Sequence, residues 1–108
     1  MSIEQSDRVD AVGVDASSGK VILTISDHLD WSDESSHLLA LQDMLNTYLR
    51  FIESGELLSA YPDATGRKLV IDVVRRLEIP TSGLRFLEEV RPILGSTSIE
   101  LRTRVLPD

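Results

Sequence analysis

Cysteine is absent from this 108-residue chain, so neither a disulfide nor a thiolate metal site is open to it. Aromatic residues are scarce at 5%, with one Trp, two Tyr and two Phe. None falls on the sheet face expected to lie away from the helices, where the sheets that read single-stranded RNA carry theirs. Positive charge is also short. The 11 Lys and Arg face 18 Asp and Glu, and the net charge of -7 has the wrong sign for a phosphate ligand, so no nucleic-acid partner is expected. No window holds the roughly 18 successive apolar residues that a bilayer span needs. The first residues, Met1 to Asp7, are polar and acidic, without the basic and apolar regions of a secretory signal. No membrane partner is expected, and the cytoplasm is the expected compartment. Patterns for nucleophilic catalysis are missing too: there is no Gly-x-Ser-x-Gly, and neither histidine sits by a distinctive serine. No cofactor is expected, since a chain this short cannot build a core and also bury a dinucleotide.

What is present is ordinary globular material, 42% hydrophobic and 27% charged, of a length that suits one domain over residues 1–108. The charge is uneven. Residues 1–63 carry 12 acids and 3 bases, a net of -9; residues 64–108 carry 6 acids and 8 bases, a net of +2. The acidic half reads either as a solvated, solubilising surface or as a face for a basic partner, which it would attract over a distance.

The hydrophobic pattern gives the elements. Val9 to Val14 is a first strand, Asp15 to Gly19 a turn, and Lys20 to Ile25 a second strand rich in β-branched residues. So short a link implies an antiparallel hairpin. A long helix is expected from Asp33 to Ser54, with Leu38, Leu41, Leu45, Tyr48 and Ile52 as its apolar stripe, widened by Leu39, Met44, Leu49 and Phe51. Ser32 or Asp33 can cap it, and Gly55 can stop it. Glu56 to Tyr61 reads as a further helical turn before a loop at Pro62 to Gly66. A third strand follows at Arg67 to Arg76. A second helix opens at a Pro80-Thr81-Ser82 cap and ends at Gly95, with a kink or early end expected from Pro92. Ser98 to Leu106 is the fourth strand. The order ββαβαβ predicts an α+β fold: a two-layer α/β sandwich, with a four-stranded mixed sheet and two helices on one face. Strands three and four should be parallel if they are neighbours.

Ile25 to Trp31, Leu45 to Glu56, Tyr61 to Ala64 and Gly66-Arg67 together resemble a small bacterial family of uncharacterised proteins, a domain of unknown function. The likeness runs from Ile3 to Arg102. It implies a single free-standing bacterial domain and brings no activity, cofactor or catalytic residue with it.

Three constellations could carry chemistry. The segment Asp27 to Glu34 holds four carboxylates, His28 and the lone Trp31. Asp27, His28, Asp30 and His37, with Asp33 nearby, are candidate ligands for a divalent metal in a hydrolase, although their spacing matches no known zinc or calcium loop. The simpler reading gives Asp27 and Asp30 to turn bonds, Asp33 to the helix cap, Trp31 to the end of the core, and His37 to solvent. Gly66-Arg67-Lys68 could hold an anion beside a glycine loop, or simply begin a charged strand. The sheet face away from the helices should present Val70, Asp72, Val74, Arg76, Arg102 and Arg104, an open, partly apolar surface suited to protein contact. The expected function is therefore a non-enzymatic interaction module that forms a homodimer through that face. The alternatives are an acidic, immunity-like inhibitor of a basic protein, and the metal-dependent hydrolase.

Overall fold

Alternating β-branched residues at Val21 to Asp27 and Leu69 to Arg75 form the two central strands of the sheet. In the computed structural model, residues 12–27, 31–75 and 79–105 are described. The elements are β1 (Val12–Val14), β2 (Val21–Asp27), α1 (Glu34–Glu53), α2 (Glu56–Ala60), a 3-10 turn (Pro62–Ala64), β3 (Leu69–Arg75), α3 (Thr81–Gly95) and β4 (Ile99–Val105). The expected opening of the first strand, residues 9–11, lies outside the described residues.

The sheet order is β1-β2-β3-β4. β1 and β2 form the expected antiparallel hairpin, with Gly13 opposite Ile22. β2 runs parallel to β3, and β3 parallel to β4, so the mixed sheet is as expected. The register places Thr24, Asp72 and Arg102 in one row and Ile25, Val73 and Thr103 in the next. Because side chains alternate along a strand, these rows point to opposite faces.

One face carries Val21, Leu23, Ile25, Ile71, Val73, Ile99 and Leu101, and it packs in a single core with Leu41, Met44, Leu45 and Tyr48 of α1 and Leu87 and Leu94 of α3. Both long helices thus lie on one side of the sheet. Tyr48 fixes the distance between the layers: its ring is fully buried, and its hydroxyl donates to the Thr24 carbonyl at 2.6 Å. Two loops are tied by Arg67, which donates to the carbonyls of Asp63 and Gly19 at 2.7 and 2.9 Å. Arg67 therefore acts as a loop clasp. Gly55, at a φ of 88°, ends α1 in the left-handed conformation that favours glycine.

Three local expectations differ from the structure. Leu39, assigned to the apolar stripe of α1, is 60% exposed; it sits just past the edge of a stripe centred on Leu41 and Tyr48. Pro92 does not end α3 early. The helix runs on to Gly95, and Pro92 lies on an exposed stretch of it, where a freed carbonyl can meet water. The cap of α3 is not a Thr or Ser side chain: Pro80 holds the cap position without a side-chain bond, and the Ser82 hydroxyl donates to the Glu34 carboxylate instead. That bond joins the N-terminal ends of the two long helices.

Candidate functional site

In a parallel βα arrangement the strand C-termini and helix N-termini meet at one edge, the usual place for a site. Here that edge holds Asp27, the last residue of β2, and His37, in the first turns of α1. The His37 ring Nε2 lies 2.8 Å and 2.7 Å from the two Asp27 carboxylate oxygens, and both residues are buried, at 2% and 3% exposure. Trp31 stacks on the imidazole with ring centroids 3.6 Å apart and planes 11° from parallel. The expectation of a solvent-facing His37 is thereby corrected. It shares the inner face of α1 with Leu41, Met44 and Tyr48, at spacings of four, seven and eleven. Once the helix lies on the sheet, that position faces the end of β2. The spacing was visible in the sequence, and the histidine's polarity hid it.

The pair is a buried hydrogen bond in which the imidazole Nε2 faces both oxygens of one carboxyl group. Gly83 makes the stack fit. A Cβ at Gly83 would lie 2.5 Å from the Ile79 Cγ1 and 2.9 Å from the Trp31 ring. Trp31 therefore lies between the imidazole and the first turn of α3, which is the core-end role expected of it.

Metal chemistry at this corner rested on four residues. Asp27 and His37 converge, while His28 and Asp30 lie outside the described residues. Among the described residues no group of three or more His, Cys, Asp or Glu is placed to hold a metal. Asp33 is committed elsewhere: its carboxylate accepts from the Ser36 backbone N–H at 3.1 Å and from the Ser36 hydroxyl at 2.9 Å, as a helix cap does. These bonds hold the Asp33 carboxyl below its ordinary value of 3.8, the Ser36 N–H contributing most. A carboxyl so depressed stabilises the fold above its unfolded pKa, and the gain is lost as pH falls through the depressed value. The Asp33→Ala variant should thus be less stable than wild type at pH 7, with the gap in urea midpoints narrowing as pH falls below the ordinary carboxyl value of 3.8. A gap that does not narrow on acidification would contradict the capping account.

On the opposite sheet face the expected open apolar surface is not found at β3. Val70 and Asp72 are fully buried and Val74 is 4% exposed, so the three offer a partner no surface. Arg76 lies outside the described residues. Arg104 Nε donates to the Asp72 Oδ2 at 3.1 Å, and Arg102 reaches the same oxygen at 3.5 Å. The other oxygen, Oδ1, is buried without a hydrogen-bond partner. Such an orphan acceptor costs about 1–3 kcal/mol. The two arginines stay about half exposed, with side-chain values of 45% and 56%.

A surface that the sequence reading missed lies on the helical layer. Between α1 and α3 runs an apolar groove of about 280 Å³. Leu45 and Leu49 line it from α1, and Phe86, Val90 and Ile93 from α3, with Glu89 as the one charged lining residue. Ile93 is 63% exposed. The spacing of Phe86, Val90 and Ile93 was readable as a second stripe on α3, beside the inner line of Leu87, Val90 and Leu94. That two stripes on different helices would flank one groove follows only from the packing. Among the described residues no helix is long and apolar enough to cross a membrane.

A family model described as a family of unknown function (DUF6572) matches residues 1–107. No curated protein and no solved structure matches the chain.

Proposed function

We propose that this chain, a member of that family, is a non-enzymatic protein-interaction module, and that its docking surface is the groove between α1 and α3. The observation that carries the reading is the groove itself, mostly apolar, with Gln42, Asn46 and Glu89 as its polar lining and Ile93 exposed at one wall. Apolar area left in water costs about 25 cal/mol per Å², and that cost is recovered only when something covers it. A trough between two helices fits a third helix, read through apolar anchors at i, i+3 or i+4, and i+7. The net charge of -7, with Glu89 at the groove, favours an occupant whose flanks are basic. This keeps the acid-rich composition in use without an active site. The buried Asp27–His37 pair, by contrast, offers a substrate almost no surface.

The test is a selection of helical peptides from a displayed library against the immobilised full chain, followed by calorimetry with the winning peptide. The winner should carry Lys or Arg beside its apolar anchors and bind more weakly as salt rises. Ile93→Asp should weaken it by about 2 kcal/mol or more, as for a central anchor. No enrichment, or a winner that binds Ile93→Asp as tightly as wild type, contradicts the proposal.

A further inference from the structure

Among the described residues β4 is the last strand of the sheet, seven residues long, with β3 as its one neighbouring strand. An edge strand of this length directs half of its N–H and C=O groups away from its neighbour, which makes it a template for another strand. The side-chain pattern of β4 is self-complementary. If a second β4 is laid antiparallel so that all seven residues overlap, Arg102 falls on the two-fold axis. Glu100, which accepts from Lys20 Nζ at 3.1 Å in the single chain, then stands opposite Arg104 of the second copy, and Arg104, bonded to Asp72, opposite its Glu100, giving two cross-strand pairs of opposite charge on one face. On the other face Ile99 meets Val105, which is 37% exposed in the single chain. Arg102 would meet its own copy, yet each is already held toward Asp72.

The layer above β4 agrees. Leu84, Glu88 and Arg91 share one stripe of α3, on the side away from the groove. Arg91 Nε donates to the Leu101 carbonyl of β4, so this stripe overlooks the edge strand. Leu84 on it is 46% exposed. A second copy at the edge would bring another α3 toward this stripe and cover Leu84. The Arg91 bond takes one lone pair of the Leu101 oxygen and leaves the other for a partner strand.

We infer that two copies of this chain join through their β4 edges, in the full-overlap antiparallel register, into one eight-stranded sheet. This rests on the reading of the chain as an interaction module but uses a different surface, remote from the Ile93 groove, so either can fail without the other. The expectation of a homodimer is kept, moved from the buried face of β3 to the edge at β4.

The experiment is sedimentation velocity of the full chain over a wide concentration range, with circular dichroism as the check on folding. Wild type should reach about twice the 12.0 kDa chain mass. Glu100→Arg should raise the dimer dissociation constant by about tenfold or more, since it turns both attractive pairs repulsive. Adding Arg104→Glu should recover part of the lost affinity, because both pairs then re-form with their signs exchanged while the Arg104 bond to Asp72 is lost. Hydrogen exchange, which needs no substitution, should show the β4 amides slowing as concentration rises. A wild-type monomer at every concentration overturns the inference. So does rescue by Arg102→Glu in place of Arg104→Glu, and so does a dimer whose β4 amides exchange no more slowly than in the monomer.

Discussion

Replacing His37 with alanine is expected to lower folding stability by about 3 kcal/mol or more, because it removes a buried hydrogen bond to Asp27 and opens a cavity beneath Trp31. Set against the roughly 5–15 kcal/mol that holds a small domain together, that leaves a marginal protein. Two losses combine. The Asp27 carboxylate, 3% exposed, keeps its burial and loses the imidazole at 2.7 Å. The Trp31 ring loses the flat surface it stacks on. Urea unfolding followed by Trp31 fluorescence measures both, and a loss below about 1 kcal/mol would show that the pair is not a clamp. The double change Asp27→Leu with His37→Phe separates structure from chemistry. It removes both polar groups and keeps a ring under Trp31, so it should recover at least half of the loss, as apolar replacement of both partners of a buried polar pair commonly does.

Gly83→Ala is expected to destabilise the fold although it places a better helix former inside α3. The propensity gain is about 1 kcal/mol. Against it stand contacts of 2.5 and 2.7 Å to Ile79 and 2.9 Å to the Trp31 ring, all well inside van der Waals range. The Ile79 Cγ1 is not a free side-chain end, and the indole is held by its stack on His37. Overpacking of this kind costs about 1–3 kcal/mol. The clash therefore wins, by about 1 kcal/mol for alanine and by more for Gly83→Val. Trp31 emission should shift to the red as the ring moves toward water. A more stable Gly83→Ala variant with unshifted emission would contradict the tight corner.

Both changes address one corner, and its two halves were unequally legible. The strands, both long helices and the Asp33 cap follow from periodicity and from the chemistry of helix starts, which act within one element. The parallel pairing of β3 with β4 follows because a helix of moderate length joins them. The convergence of Asp27 with His37 does not follow: it depends on where α1 lands on the sheet, ten residues after β2 turns the chain away. The burial of Val70, Asp72 and Val74 was missed because a face without a helix was equated with an open face. The groove beside Ile93 was missed because an apolar stripe on a helix normally means core. Here the stripe of Phe86, Val90 and Ile93 lies at the margin of the packed layer and is only partly covered.

The central claim is that the acidic, histidine-bearing corner holds the fold while the helical layer meets the partner. Amide chemical-shift mapping tests it most directly, with isotope-labelled wild-type chain titrated by the selected basic-flanked helical peptide. The predicted result is a set of shifts centred on Leu45, Leu49, Phe86, Val90 and Ile93, with Asp27, Trp31 and His37 unmoved. Shifts centred on Asp27, Trp31 and His37, with the groove residues silent, would contradict it.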